Sequence, residues 1–538
     1  MGGSRLRAAL AGIAAVVLGA GAGELTAAWF APSSSPVASI GGALIDLAPA
    51  WAKHTAIDLF GSFDKAALVT GIVIVMLAVA AGLGILESRV PRAGALLCGV
   101  LGVAGIVAAA TRADAAALAW LPSSVAGVVA AFTIGPLVRL GAAPGGSATR
   151  TTGTTRTVSA PASGATDPTR APHPATTAAG AHELDRRRFF AWTGVAAAAG
   201  LAAAVGGTLL QAGARTAQAA RAALRLPRPA QTAAPIPAGA DLQIAGLSPV
   251  VTPNADFYRI DTALLVPQVD PAQWSLRIHG MVDHPLTLTW NQLLALPLEE
   301  SYTTLACVSN EVGGDLIGNA KWLGYPIRNL LARAGPHADA DMVLSTSVDG
   351  FTASTPLPVL TDDRAAILAI AMNDAPLPTE HGFPVRMVVP GLYGYVSATK
   401  WVVDLEVTRF DRATAYWTDQ GWAPRGPIKL ESRIDVPRAT GTVPAGDTVI
   451  AGVAWQQHTG VSKVEVQVDA AAWQTAQLAP AISDDTWVQW RLPWRAEPGD
   501  HTIRCRATNR LGQVQTSVQA SPVPDGASGW PEVRVHVG

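Results

Sequence analysis

Five apolar runs crowd the first 213 residues of this 538-residue chain, at about Leu6–Ala28, Ala66–Leu86, Ala93–Thr111, Leu118–Leu140 and Phe189–Gly213. Each comes near the roughly 20 residues that a helix needs to cross a bilayer. A bundle in water would carry polar stripes at the helical period. These runs are rich in Gly and Ala on every side, which suits close helix packing in lipid. The chain is therefore expected to be a multi-pass protein of the cell membrane, with the lipid bilayer as a partner. Val37–Trp51 is apolar but short and proline-flanked, and it reads as a re-entrant or partly buried piece.

Cation placement orients the spans. Arg5 and Arg7 precede the first run and put the N-terminus in the cytoplasm. Counting spans then puts Arg89, Arg92, Arg139 and the basic stretch 141–188 inside, with Asp46, Asp58, Asp64 and Asp114 on the opposite side. An odd number of spans leaves everything after Gly213 outside the cytoplasm. Residues 141–188, rich in Thr, Ala, Pro and Gly, cannot bury enough apolar surface to fold and are expected to form a disordered cytoplasmic linker. The linker ends in Asp185-Arg186-Arg187-Arg188-Phe189-Phe190, just ahead of the fifth run. Two readings stand for that motif. One is simple positive-inside anchoring; the other is a twin-arginine export signal, which moves domains already folded.

After a proline-rich hinge the composition becomes that of a soluble protein. The formal net charge of −1 gives no reason to expect a nucleic-acid partner. Cys98, Cys307 and Cys505 are too scattered for a disulfide framework or a cysteine-based zinc site. Trp274–Val282, Met342–Thr355 and Lys400–Thr408 alternate like strands, Pro384–Pro390 is an apolar strand, and Trp290–Ala295 and Ile327–Ala334 read as short helices. That mixture predicts an α+β domain over about 240–427. From 428 onward, Thr448–Ala454, Lys463–Val468, Thr486–Leu492, His501–Thr508, Gln513–Ala520 and Val533–Val537 recur as strands with turn residues between them. Regular spacing of this kind predicts an Ig-like β-sandwich.

Of the three cysteines, Cys98 lies in an apolar helical run and Cys505 in an alternating strand. Only Cys307, in TTLACVSNEVGG, has polar, Gly-rich surroundings at a strand end. It is expected to sit on a loop as an accessible thiolate, a soft metal ligand or a nucleophile; the alternative is a buried free thiol.

Three blocks give a more specific reading: ACVSNEVGGDLIGNAKWLGYPIRNLL around Cys307, MNDAPLPTEHGFPVRMVVPGLYGYVSATKW from Met372 to Trp401, and a tail with GVAW, VEVQVD and TWVQWRLPW. On these blocks, residues 240–538 resemble the sulfite oxidase family of molybdopterin oxidoreductases, here in a bacterial, membrane-anchored form. The resemblance implies a molybdenum cofactor with a single pterin, its metal ligated by Cys307. It further implies that His381, Arg386, Ser397, Thr399 and Lys400 hold the pterin and its phosphate, with Asp349 as a further contact. Asn254, Tyr258 and Arg259, in TPNADFYRID, match an early cofactor-contacting segment. The C-terminal sandwich matches a dimerisation module and implies a homodimer.

Departures from the pattern bear on the substrate. Where sulfite oxidases carry arginines just after the cysteine, this chain has Asn310, Glu311 and Val312; Trp422 stands where they carry an active-site tyrosine, and QQHTGVSK offers no counterpart to their second-domain arginine. Loss of those charge-assisted bonds favours a neutral S- or N-oxide over sulfite as the small-molecule substrate. No His-Pro-Gly-Gly haem motif occurs, and His54 is the only histidine before the linker, so no haem is expected in this chain. Electrons are expected to pass through a separate partner, a cytochrome or a quinone-linked membrane protein. Two other classes remain open at this level: a non-catalytic binding or structural protein that keeps the fold, and a Cys-nucleophile hydrolase with His381 as its base.

Overall fold

The computed structural model describes residues 3–31, 34–47, 64–112, 115, 117–142, 178–210, 212–263, 265–438 and 441–538. The chain divides into two compact units, one built from the helices before Gln211 and one holding Ala212–Gly538.

In the first unit the helices are α1 (Gly3–Phe30), α2 (Pro36–Leu47), α3 (Asp64–Arg89), α4 (Ala93–Ala110), α5 (Trp120–Gly141) and α6 (Ala178–Leu210). All but α2 are long and apolar enough to cross a membrane. Helix α1 packs along α5 and α6, and α4 along α5. The glycines explain how closely they approach: a Cβ on Gly102 of α4 would stand 2.9 Å from the Cα of Gly127 on α5. Apolar side chains on the outer faces stay uncovered, Phe132 to 77 % and Leu96 to 70 %. Val37–Trp51 is helical as far as Leu47, and the remainder lies outside the described residues. Most of the stretch read as linker, 143–177, also lies outside them. Its end does not match that reading: α6 starts at Ala178, so residues 178–188 are helical, in keeping with the helix formers Ala178, Ala179, Ala181 and Glu183.

The second unit begins with α7 (Ala212–Ala223) and continues through β1 (Ser275–Gly280), β2 (Leu286–Thr289), α8 (Trp290–Leu294), β3 (Glu299–Ala306), β4 (Ile317–Pro326) and α9 (Ile327–Ala334). There follow β5 (Met342–Ser347), β6 (Thr352–Pro356), α10 (Leu357–Thr361), β7 (Ile367–Met372), β8 (Ala375–Pro376), β9 (Arg386–Val388), β10 (Val402–Thr408) and α11 (Tyr416–Asp419). One sheet runs β2-β1-β10-β5-β6, with β1 and β10 parallel; a second runs β3-β4-β7-β8, with β9 added on β7. Between them lies a core that includes Leu276, Ile278, Val343, Leu368, Met387 and Leu405. The expected strand over 342–355 is a hairpin, because Val348–Phe351 turns between β5 and β6.

The C-terminal part is β-rich: β11 (Glu431–Val436), β12 (Thr442–Val443), β13 (Gly446–Trp455), β14 (Val461–Val468), β15 (Gln474–Thr475), β16 (Gln477–Leu478), β17 (Val488–Ala496), β18 (Gly499–Asn509) and β19 (Glu532–Val537). They form two sheets, β11-β13-β17-β16 and β12-β19-β18-β14-β15, which share Ile450, Trp490, Val466, Ile503 and Cys505 in one core. The strand expected over Gln513–Ala520 is absent. Backbone pairing there is confined to isolated bridges, Thr508 with Val514 and Ala520 with Ser528, and the Gln515 side chain adds further bonds: its Oε1 accepts from Ser432 Oγ and Ala507 N, and its Nε2 donates to Gly529 O.

This β-rich part is joined to β3. Thr304 N donates to Asp485 O at 2.9 Å, Trp487 N donates to Thr304 Oγ1, and Gln457 Nε2 donates to Thr304 O, both at 2.8 Å. Val453, Trp455 and Trp487 enter the core of the preceding sheets.

Candidate active site

Strand β3 ends at Ala306, and the chain turns through Cys307 and back into β4. The Cys307 N–H donates to Leu316 O, and Asn310 Oδ1 accepts from Leu316 N at 2.8 Å, which fixes the loop between them. Cys307 is only 8 % exposed, so the accessible thiolate read from its Gly-rich surroundings is corrected. Burial pushes its pKa up, against the smaller lowering effect of hydrogen bonds at Ser309 and Val308. Its raised pKa keeps the unligated group a thiol.

The thiol faces a cleft of about 880 Å³, open mouth included, which also borders Tyr258, Asp349, His381, Arg386 and Lys400. These residues are remote in sequence. Tyr258 precedes the first sheet, Asp349 sits in the β5–β6 turn, Arg386 opens β9, and Lys400 lies just ahead of β10.

Arg386 is 5 % exposed, and among the described residues no carboxylate lies within ion-pair distance of it. Its guanidinium donates to the carbonyls of His381 at 3.2 Å, Met387 at 3.3 Å and Ala398 at 3.5 Å, and lies 5.2 Å from the Trp322 ring. Burial lowers its pKa to about 10, and Tyr258 acts in the opposite direction. Lys400 differs in having an acid beside it: Nζ reaches Asp261 Oδ2 at 2.5 Å and Glu380 O at 3.1 Å, and Asp261 also accepts from Arg259. His381 donates through Nε2 to Asn254 O at 3.3 Å, and its ring meets Phe257 edge-on. Burial first, then the charges of Arg386 and Lys400, push its pKa down to about 3. The imidazole is neutral, with Nδ1 as its acceptor. Tyr258 is pushed well above the ordinary phenol value by burial and by Cys307.

Four of the expected residues do not border the cleft. Ser397 donates to Tyr393 O at 2.9 Å and is fully buried; Thr399 shares a 2.7 Å hydrogen bond with Ser345 Oγ. Asn254 joins Met372 O and Asn373, and Arg259 pairs with Asp261. Their side chains shape the loops that border the cleft. Reading the sequence missed Asp261, Phe351, Tyr395 and Trp417, all of which face it. For Asp261, the alternation of charge in Tyr258-Arg259-Ile260-Asp261 was the available signal. Trp422 also borders the cleft.

Residues 263–417 match the family described as "Oxidoreductase molybdopterin binding domain". The "Uncharacterized oxidoreductase YuiH" of Bacillus subtilis is 34 % identical over 160 residues, covering 29 % of this chain and 76 % of that one. The chain belongs to the sulfite oxidase family of molybdopterin-binding oxidoreductases. Mitochondrial sulfite oxidase of Rattus norvegicus is 28 % identical over 320 residues, covering 50 % of this chain and 58 % of that protein's length. Among solved structures, the sulfane dehydrogenase SoxCD of Paracoccus pantotrophus overlaps 50 % of this chain and 75 % of that one, at a TM-score of 0.44 and 23 % identity.

The residues present fit the family's cofactor. One soft thiol, one buried cation with no acid beside it, a second cation and a neutral imidazole border a single cleft. A buried guanidinium without a counter-ion is costly, and an anionic group on the cleft side removes that cost.

Proposed function

We propose that the chain is a membrane-anchored molybdopterin-dependent oxidoreductase that transfers an oxygen atom to or from a small S- or N-oxide or sulfite-like substrate outside the cytoplasm. The supporting observation is Arg386, a buried guanidinium with no carboxylate beside it among the described residues, on the same cleft as the Cys307 thiol. In this reading Cys307 ligates the metal. Arg386 and Lys400 receive the anionic end of the pterin, with bidentate geometry available to Arg386. His381 Nδ1 accepts a pterin N–H, and Asp349 and Tyr258 make further contacts. Asn254, Arg259, Ser397 and Thr399 hold the loops that carry these groups. When bound, the cofactor supplies two-electron redox chemistry coupled to transfer of one oxygen atom. Reduction of an S-oxide then consumes two electrons and two protons and releases water.

The electrons come from a separate cytochrome or quinone-linked membrane protein, with no haem in this chain. The two C-terminal sheets form an Ig-like sandwich through which the protein dimerises, and the motif Arg186–Arg188 directs export of the folded domain. A cysteine hydrolase is disfavoured by His381, since a base whose pKa is near 3 cannot deprotonate a thiol whose own pKa is raised.

The test is metal and pterin content of the purified protein. Wild type made with cofactor available should carry about one Mo per chain. Cys307→Ser should lose most of it while keeping its circular dichroism spectrum. A folded mutant with full metal content would overturn the reading, and so would a wild type that takes up neither metal nor pterin.

A further inference from the structure

Of the aromatic rings that border the same cleft as Cys307, four belong to one cluster: Phe351, Tyr395, Trp417 and Trp422. With Tyr416 behind them they form one continuous row. Centroid separations are 5.8 Å from Tyr395 to Trp422, 6.2 Å from Trp422 to Trp417, 5.2 Å from Trp417 to Tyr416 and 6.0 Å from Tyr416 to Phe351. Three separate segments supply the row, and each is tied down. The Trp422 N–H donates to Trp417 O at 3.0 Å, the Tyr416 N–H to Thr352 Oγ1 at 2.9 Å, and the Tyr395 hydroxyl to Ala423 O at 2.7 Å. The Ala423 N–H in turn donates to Pro524 O at 2.9 Å, which fastens the aromatic loop to the C-terminal part. The row is a preformed wall.

The cations on this cleft are committed elsewhere. Lys400 is paired with Asp261, and Arg386 lies against His381, Met387 and Ala398, where the proposed cofactor's phosphate belongs. The stretch after Cys307 adds Ser309, Asn310, Glu311 and Val312, none of them a cation. Ring faces carry negative potential and repel a dianion, and an anion stripped of water here has no uncommitted guanidinium to receive it. A cationic ligand is disfavoured by Arg386 and Lys400 on the same cleft. A flat apolar substituent gains both area burial and ring stacking.

Resting on the reading of this cleft as a molybdopterin site, we infer that the wall of Phe351, Tyr395, Trp417 and Trp422 selects a neutral oxide bearing an aryl or other flat apolar substituent, and rejects inorganic oxyanions. Trp417 and Trp422 are its specificity-determining residues.

The test is calorimetric titration of the full-length, detergent-solubilised protein with three probes: methyl phenyl sulfoxide, dimethyl sulfoxide and sulfite. The aryl sulfoxide is expected to bind about tenfold or more tightly than dimethyl sulfoxide, as burial of one phenyl group predicts, and sulfite more weakly than either. Trp422→Ala and Trp417→Ala should each bring the aryl preference down toward unity with Mo per chain unchanged. Trp417→Leu, which keeps apolar volume and removes the ring, should fall between wild type and Trp417→Ala, and covers the case in which Trp422→Ala misfolds. Equal affinity for the two sulfoxides, tighter binding of sulfite, or tryptophan variants with undiminished aryl preference would each overturn the inference. Because binding is read without turnover, the two readings fail separately. A metal-free protein with the aryl preference intact would sink the cofactor reading and leave the wall standing. A metal-loaded protein lacking that preference would do the reverse.

Discussion

Arg386 is where the physical chemistry of single residues is least comfortable. Its three hydrogen bonds run from 3.2 to 3.5 Å and go to carbonyls that offer partial charge only. A charge buried on those terms costs several kcal/mol that a carboxylate would normally offset. Arg386→Met keeps much of the side-chain volume and removes the charge. The variant made without cofactor should therefore be at least as stable to heat as wild type, and it should retain little pterin, measured by fluorescence after oxidation. A clear loss of stability, roughly 2 kcal/mol or more, would make Arg386 a structural residue. Two further buried groups set the response to pH. Burial raises Glu431 from 4.5 to about 8, against the hydrogen bond from Tyr393 and the charge of Lys429, while His381 falls from 6.5 to about 3. The folded state holds the Glu431 proton that the unfolded state releases above 4.5, so this group removes stability as pH rises from 4.5 to 8. His381 does the opposite, because the unfolded imidazole gains a proton below 6.5 that the folded one refuses. Between about 4.5 and 6.5 the two slopes cancel. Of these two groups only Glu431 acts above 6.5, at about 1.4 kcal/mol per pH unit as an upper bound, and His501, raised by its hydrogen bond to Asp469, adds to the decline. Urea unfolding of Glu431→Gln should show a clearly shallower decline between pH 6.5 and 8 than wild type, and a parallel decline in both proteins would refute the assignment.

At the scale of elements, the two C-terminal sheets fix the strand that presents Cys307. Thr304, three residues before the cysteine, donates its N–H to Asp485 O and accepts from Trp487 N and Gln457 Nε2, and Arg433 of β11 donates to Gly314 O at the far end of the cysteine loop at 2.9 Å. Arg433 also holds Asp435 at 2.6 Å and Ser248 at 2.7 Å, with about a tenth of either ionic side chain exposed. Arg433→Ala leaves Asp435 buried and unpaired, and should cost about 3–5 kcal/mol in chemical denaturation, with Mo content falling as the loop loosens. A loss below about 1 kcal/mol would show that the junction carries little of the stability. None of this clamp was legible in the sequence. Cys307 stands out by its own polar, Gly-rich surroundings, whereas His381, Arg386 and Lys400 are marked only through the family resemblance of the block around them; all four border one cleft. Asp261, Tyr395 and Trp417 were not legible, since an acid or ring in a loop reads the same whether it faces a core, a cleft or water. Strand alternation located β1, β10, β13 and β18. It failed at Gln513–Ala520, where pairing shrinks to isolated bridges and one buried glutamine side chain supplies further bonds that periodicity alone does not predict.

For the whole molecule, the decisive question is how an oxidoreductase domain reaches the side of the membrane that its preceding helices imply. Among the described residues, helices α1, α3, α4, α5 and α6 are each long and apolar enough to span, and the proposed reading places Ala212–Gly538 opposite the N-terminus. If the proposed export holds, a domain loaded with cofactor in the cytoplasm needs a route for folded protein, and Arg186-Arg187 immediately before the apolar part of α6 is the motif proposed for it. Positive-inside anchoring and folded export make opposite predictions for a charge-conserving change. Lysine keeps the positive charge, so Arg186→Lys with Arg187→Lys leaves anchoring intact; a twin-arginine receptor needs the guanidinium fork and is lost. Protease added to intact spheroplasts should therefore cleave the C-terminal unit of wild type and spare it in the double mutant, with total protein similar in both. Equal cleavage would assign these arginines to anchoring alone, and the domain would then have to cross unfolded and acquire its cofactor afterwards.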